Sequence, residues 1–229
     1  MKFAAVLSLF SLIAVAEVVS QDVVDEPIRV FVHSDRYGRY YTTAVAFSPD
    51  GRKVLTNGQY GLWLWDVANG NYLWRKELRS GHGPVAFSPD GTRCLVGDAR
   101  PTATSPESVN IFSADTGEHL RSLIHTPVAG GIESISFSED GTRMLAAGGD
   151  TAVLFDTSNW QHLVTLTDTG YVESADLSPD GTRIVTAGSY GLELWNAESG
   201  DFILRYAIPR NPYPGIDESG DHNVAFSPD

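Results

Sequence analysis

The stretch VAFSPDG at residues 45–51 recurs along the chain and decides its fold. The same seven letters stand at residues 85–91, and the variants ISFSEDG and ADLSPDG stand at residues 135–141 and 175–181. A final VAFSPD occupies residues 224–229. The serines of the successive copies are 40, 50, 40 and 49 residues apart. Such self-similarity indicates one structural unit repeated along the chain.

Each complete repeat contains four short apolar runs. In the first repeat they are VAFS (45–48), KVLT (53–56), a third run ending at Asp66, and a fourth beginning at Tyr72. Runs of this length, rich in Val, Leu and aromatic residues and bounded by Gly, Asn, Asp and Ser, are typical of β-strands. No helical period follows residue 20. The sequence therefore predicts an all-β protein with four strands per repeat.

The connections between the runs have turn chemistry. In SPDG the proline presets φ for a type I turn, and Gly51 supplies the left-handed position that closes the hairpin. Glycine also recurs in the turn between the third and fourth runs, except in SNWQ (158–161), where Trp160 breaks the pattern. The motif aspartates each belong to a separate hairpin, so we interpret them as turn residues and not as metal ligands; they are Asp50, Asp90, Asp140 and Asp180.

The third runs indicate how the repeats pack. Leu62 and Leu64 lie on one face of the predicted strand and Trp65 lies on the other, so both faces are apolar. A sheet with two apolar faces is expected to lie between two other sheets. Each repeat therefore depends on its neighbours for stability.

These features together resemble the WD-repeat (WD40) β-propeller family: repeats of 40 to 50 residues, the AFSPDG turn, and an LWD ending at residues 64–66. The resemblance covers about residues 28–229, and only Trp65-Asp66 keeps the full Trp-Asp pair. It implies a β-propeller of four-stranded antiparallel blades. The predicted repeats are at about residues 41–78, 81–124, 131–167 and 171–208, with a partial repeat at 222–229.

The family resemblance also predicts an incomplete propeller. In this family the N-terminal strand completes the last blade, and residues 28–34 (IRVFVHS) resemble that strand. Four complete blades and the start of a fifth would then follow. We therefore expect the front part of a longer propeller, with seven blades being common in the family.

The N-terminus has the layout of a secretory signal peptide. Lys2 precedes an apolar run at residues 3–16, and small residues allow cleavage after Ala16 or Ser20. We therefore predict a signal at residues 1–20, an N-terminal segment at 21–27, and a secreted or extracytoplasmic protein. An uncleaved membrane anchor is the alternative; after removal of the signal, no membrane insertion is expected.

Charge and cysteine content narrow the functional classes. The formal net charge is −13, which disfavours nucleic-acid binding because phosphate backbones are repelled. Cys94 is the single cysteine, so no internal disulfide can form. It aligns with the apolar Val54, Met144 and Ile184 of the other repeats, which predicts a buried, unreactive thiol.

The insertions among the repeats all fall in connections from strand two to three or from strand four to the next strand one. In an up-and-down sheet these connections share one edge, so the insertions should lie on one face, which often marks the binding side. Drift in the length of loops with little structural role is the alternative. Aromatic, arginine and histidine residues of these connections are the candidate partner-binding residues: Arg36, Tyr37, Arg39, Tyr40, Tyr41, Tyr60, Arg100, Tyr190, Arg210, Tyr213 and His222.

The sequence favours a non-catalytic scaffold that binds a protein or peptide. His119 and His162 occupy one repeated column, and the other histidines have no metal-ligand spacing. We therefore predict no catalytic residue, no cofactor and no metal, and leave the oligomeric state open. The alternative is an extracytoplasmic propeller enzyme, similar to a dehydrogenase or lactonase, with a site at the central channel.

Overall fold

The computed structural model describes residues 4–9, 12–17, 30–31, 42–58, 61–78, 82–98, 108–124, 131–167, 169–206 and 223–227. Three strands precede the repeats: β1 (Ala4–Leu9), β2 (Leu12–Glu17) and β3 (Val30–Phe31). The next sixteen strands form four sheets of four strands each. The described residues contain no helix.

Each sheet corresponds to one predicted repeat and is called a blade. Blade one consists of β4 (Thr42–Phe47), β5 (Lys53–Gly58), β6 (Gly61–Asp66) and β7 (Tyr72–Lys76). Blade two consists of β8 (Val85–Phe87), β9 (Arg93–Gly97), β10 (Ser108–Ser113) and β11 (His119–Ile124). Blade three consists of β12 (Ser134–Phe137), β13 (Arg143–Gly148), β14 (Thr151–Asp156) and β15 (His162–Leu166). Blade four consists of β16 (Val172–Leu177), β17 (Arg183–Gly188), β18 (Gly191–Asn196) and β19 (Phe202–Tyr206).

Strands adjacent in sequence pair antiparallel within every blade. This meander confirms the predicted fold class of four-stranded antiparallel blades. The topology defines two faces of the four blades. The turn face carries the connections from strand one to two and from three to four. The loop face carries the connections from strand two to three and from each blade to the next.

β3 pairs antiparallel with β2, with Val30 opposite Ala14 and Phe31 opposite Ile13. The other residues of the segment 28–34 lie outside the described residues. Each described blade holds four strands of its own. The last blade of a longer propeller, which this segment is expected to complete, is not among the described blades, so its role stays a prediction.

The SPDG turns have the predicted conformation. Gly51 lies at φ +68°, and its N–H donates to the carbonyl oxygen of Ser48 at 2.9 Å. The Ser48 hydroxyl donates to Oδ1 of Asp50 at 2.7 Å, and Oγ accepts from the N–H of Lys53 at 2.8 Å. The other three complete motifs repeat the serine–aspartate bond. The motif aspartates are therefore turn residues, as predicted.

The hydrophobic core lies between blades. At the junction of blades one and two, Leu62 and Leu64 are fully buried against Phe87, Cys94 and Phe112 of the next blade. Burial of a leucine side chain contributes about 1.5–3 kcal/mol, so most of the stability of a blade comes from its junctions. The dependence of each repeat on its neighbours is visible in these contacts.

The outer side of blade four differs from these junctions. Leu192 and Leu194 are half-buried, whereas the equivalent Leu62 and Leu64 of blade one are fully buried. No described blade packs on that side, and the four described sheets do not close into a ring. The described blades therefore form an arc.

Candidate functional site

The first strands of the blades lie closest to one another. β8 contacts both β4 and β12, and β12 contacts β16, whereas no comparable contact joins the fourth strands of the described blades. The first strands therefore line the inner side of the arc. Their N-terminal ends meet on the loop face, because the connection from the preceding blade arrives there.

A cavity of about 500 Å³ lies at these strand ends. It is open to solvent and takes residues from all four blades and from the segment at 223–227. Its lining consists of Thr43, Ala44, His82, Pro84, Glu133, Tyr171, Glu173 and Asn223. Two carboxylates, a phenol and an imidazole around one opening form a polar, predominantly acidic site.

One hydrogen bond joins blades three and four at the rim of this cavity. The Tyr171 hydroxyl donates to Oε1 of Glu133 at 3.0 Å. Burial and the neighbouring Glu133 carboxylate raise the pKa of Tyr171 above its ordinary value, so the phenol stays protonated. The bond holds the phenol in place, and the Tyr171 side chain remains accessible to a ligand because the residue is 45% exposed.

Residues 223–227 lie beside the first strand of blade four. The N–H of Val224 donates to Oγ of Ser174 at 3.3 Å, and the N–H of Phe226 donates to Oδ2 of Asp176 at 2.8 Å. This segment, which the sequence predicts to be the first strand of a fifth repeat, thus lies beside the first strand of blade four. Side chains of β16 hold it, and residues 223–227 do not themselves form a β-strand.

Tyr190 is the predicted partner-binding residue that falls within the described residues. Its ring is 47% exposed on the loop face of blade four and packs against Gly170, where a Cβ would come within 3.0 Å of the ring. The Arg205 guanidinium lies 4.9 Å from the ring centroid. Arg205 also forms an ion pair with the buried Glu193. The ring is therefore fixed on two sides.

The other predicted residues lie outside the described residues, and the prediction for them stays as it was made. They are Arg36, Tyr37, Arg39, Tyr40, Tyr41, Tyr60, Arg100, Arg210, Tyr213 and His222.

The sequence analysis missed Glu133, Tyr171 and Glu173 as site residues. A positional signal existed, because each stands close to the start of a first strand, where successive repeats converge on the inner side of the arc. The insertions in the sequence do not mark this shared position. Residues at the start of each first strand come together on the inner side of the arc, whether or not an insertion lies beside them.

The histidines of strand four behave as a structural column. Nε2 of His119 lies 3.0 Å from Oγ of Ser122, and Nε2 of His162 lies 2.7 Å from Oγ1 of Thr165. The rings also contact Phe112 and Phe155 of the adjacent strands. Within the described residues no group of three or more His, Cys, Asp or Glu side chains is placed to hold a metal ion.

Cys94 lies in the core between blades one and two and has no exposed surface. Burial raises the pKa of its thiol to about 12. A thiol that is both inaccessible and protonated is a poor nucleophile. Its environment agrees with the structural role that the sequence predicted.

None of the described residues forms a helix with the length and apolar character that a membrane span requires.

Comparison with known proteins identifies the fold. No family model and no curated protein matches the sequence. The structure of U3-55K superposes with a TM-score of 0.57 and 18% identity, over 70% of this chain and 50% of that chain. The crystal structure of RRP9 WD40 repeats superposes with a TM-score of 0.58 and 17% identity, over 70% of this chain and 49% of that chain.

The chain thus has the fold of a WD40-repeat β-propeller, which confirms the resemblance at the level of fold. It spans about half the length of the solved structures it matches.

Proposed function

We propose that this chain is a non-catalytic scaffold that binds a protein or peptide partner on its loop face. The cavity at the first-strand ends is the observation that carries this proposal. Its volume of about 500 Å³ exceeds what a single side chain fills, and it is open on one side. The proposed ligand is a short polypeptide segment that enters this opening from the loop face.

The chemistry of the lining supports a polypeptide ligand. Tyr171 offers an aromatic surface with a polar tip, and Glu133, Glu173 and His82 supply charge and hydrogen-bonding capacity around it. Aromatic anchors surrounded by polar groups are typical of protein interfaces. Tyr190 lies on the same loop face and would add a second anchor beside the cavity.

We further propose that the protein is exported. Lys2 and the apolar run at residues 3–16 support a signal peptide. The partner would then be an extracytoplasmic protein or peptide and not a nucleic acid, in keeping with the net charge of −13. Determining the N-terminal residue of the protein recovered from the growth medium or periplasm tests export. A start at Glu17 or Gln21 is expected, and retention of Met1 in a cytoplasmic product would overturn it.

The binding proposal is tested with the full chain. A partner is first captured from the extracytoplasmic fraction and identified by mass spectrometry, and its Kd is then measured for two variants. Substituting Tyr171→Ala together with Glu133→Gln should weaken binding about tenfold or more, as for a central interface anchor. The matched control is Asp50→Asn on the turn face, which should leave Kd unchanged.

Two results would contradict the proposal. Equal affinity of the loop-face variant and the unmodified protein would show that the partner binds elsewhere. Stoichiometric metal, or turnover in a hydrolase and dye-reduction screen that is lost in the Glu133→Gln variant, would instead favour an enzyme with its site in this cavity.

A further inference from the structure

The turn face carries a second feature, at the junction of blades two and three. Trp160 lies at φ +61° in the turn between strands three and four of blade three. The equivalent residues of the other blades are Gly70, Gly117 and Gly200, at φ +75°, +67° and +76°. A bulky side chain is strongly disfavoured in this conformation, so the presence of tryptophan in this one turn needs a structural explanation.

Different side chains fill the junction of blades one and two and the junction of blades two and three. At the junction of blades one and two, Trp74 of blade one covers the turn, and a Cβ on Gly117 would come within 2.8 Å of its ring. At the junction of blades two and three, Arg121 stands at the position of Trp74 and donates from Nη1 to the carbonyl oxygen of Asn159 at 3.2 Å. At this junction the large aromatic ring is therefore that of Trp160, from the turn of blade three, and does not come from strand four of the preceding blade as Trp74 does.

This exchange leaves a cavity of about 140 Å³ beside the indole. The cavity is walled by aromatic, proline and charged side chains of both blades. The lining residues used below are Asp90, Arg93, Phe137, Asp140, Thr157 and Trp160. The Arg93 guanidinium carbon lies 5.3 Å from the centroid of the Trp160 ring, so one ring surface is already covered by a cation.

The charges around the cavity do not balance. Asp90 and Asp140 contribute two carboxylates, whereas Arg93 contributes one positive charge. Hydrogen bonds from the neighbouring serine and threonine outweigh the effect of burial and lower the pKa of Asp90, and similar bonds lower the pKa of Asp140. Both groups are therefore ionised at neutral pH. Arg143 also acts on Asp140, but its positive charge is shared with Asp156 beside the cavity. Three carboxylates therefore face two guanidinium groups around an opening with aromatic walls.

The hydrogen bonds within the turns leave acceptor capacity for a ligand. The bonds to Asp90 from Ser88 and Thr92 all end on Oδ1. Among the described residues, Oδ2 of Asp90 has no hydrogen-bond partner. A donor that enters the cavity can bind there without disturbing the turn.

We propose that this cavity binds one cationic side chain, a lysine or an arginine, of a partner polypeptide. Its volume suits the end of a single side chain, its net charge is negative, and Trp160 and Phe137 provide apolar surface for the methylene stem. The site lies on the face opposite the loop-face cavity, so it is independent of the function proposed above. A partner bound there could contact the protein while the loop face is occupied.

Asparagine substitutions give a sharp test, because asparagine removes the charge and keeps the Oδ1 acceptor of each turn. At Asp140 the 3.0 Å bond from the Thr142 hydroxyl to Oδ2 is also lost, but the 2.8 Å bond from that hydroxyl to Oδ1 remains. Binding of Ac-Gly-Gly-Lys-Gly-Gly-NH₂ and Ac-Gly-Gly-Arg-Gly-Gly-NH₂ to the full chain is followed by the NMR signal of the Trp160 indole. The double variant Asp90→Asn/Asp140→Asn should weaken binding about tenfold, as expected for loss of two exposed charge contacts. The control Asp50→Asn/Asp180→Asn loses the same charge in turns that do not line the cavity.

The outcomes are decisive in both directions. Saturable binding of either basic peptide that falls in the cavity variant and persists in the control supports the proposal, and the stronger peptide identifies the preferred cation. The matching glutamate peptide should not bind. Equal weakening in both double variants would show only long-range attraction to an acidic protein and would overturn the proposal, as would absence of any shift at the Trp160 indole with either basic peptide.

Discussion

The indole N–H of Trp65 donates to Oγ1 of Thr56 at 2.9 Å inside blade one. Blade four repeats the bond between Trp195 and Thr186 at 3.1 Å. Blades two and three have phenylalanine at the tryptophan position, and there the threonine position holds Val96 or an alanine. A buried indole N–H needs an acceptor and a phenyl ring does not, which accounts for the joint change.

Substituting Thr56→Val should therefore destabilise the protein by about 1–3 kcal/mol, because the Trp65 N–H loses its acceptor in the core. The double variant Thr56→Val/Trp65→Phe should recover part of that loss, since it reproduces the pair found in blade two. Chemical denaturation of the two single variants and the double variant measures the coupling. Strict additivity of the two single effects would show that the bond does not link these residues.

Two glycines separate the effect of backbone conformation from that of close packing. Gly51 and Gly117 both have a φ near +68°, yet a Cβ at Gly51 meets nothing within 4 Å, whereas one at Gly117 meets the Trp74 ring at 2.8 Å. Gly51→Ala should cost about 1 kcal/mol for the left-handed conformation alone. Gly117→Ala should cost more, because Trp74 must also move. Equal unfolding midpoints for the two variants would contradict this.

The acid stability of the protein should depend on its serine–aspartate turns. The hydroxyl of Ser178 and the backbone N–H of Thr182 lower the pKa of Asp180 to about 2, from an ordinary value of 3.8. The native state thus binds this proton less readily than the unfolded state does. The stabilisation is fully present above about pH 4 and is lost as the pH falls towards 2.

Substituting Ser178→Ala removes the principal cause of this shift. Its stability should therefore fall less steeply between pH 5 and pH 2 than that of the unmodified protein, although it starts lower because the turn has lost a bond. Urea midpoints measured across that pH range test this. Parallel pH profiles for the two proteins would show that the Ser178 bond to Asp180 contributes nothing to the acid transition.

Cys94 should be unreactive in the native protein. It has no exposed surface, and burial raises the pKa of its thiol to about 12. Alkylation by iodoacetamide at about pH 8 should therefore require unfolding and should then modify one thiol per chain. Mass spectrometry with and without denaturant measures this. Rapid alkylation of the native protein would mean that the junction of blades one and two opens readily.

The sequence predicted most of the fold because the relevant signals are local. The alternation of Leu64 with Trp65 sets the two faces of strand three, and Gly51 sets the hairpin that joins strands one and two. Both depend on residues within one repeat. The chemistry of a single strand or turn therefore specified the blade, and the spacing of the motif serines specified how often it occurs.

Local signals did not predict the sites. Glu133 and Tyr171 meet at the loop-face cavity although they are 38 residues apart, and Arg93 meets Trp160 at the turn face from a different blade. Each pair forms only after two blades have packed at a particular angle and separation. The sequence marked Trp160 as an exception in its turn, but not what the ring would contact.

The sequence by itself thus determined the repeat, the four strands of each blade, the turn role of the motif aspartates and the buried position of Cys94. Tertiary structure decided which side chains share a cavity, how residues 223–227 lie against β16, and that Val30–Phe31 pairs with β2. The physical reason is the range of the interactions. Turn conformation and strand alternation act over a few residues, whereas cavities and blade junctions depend on contacts between residues roughly one repeat apart.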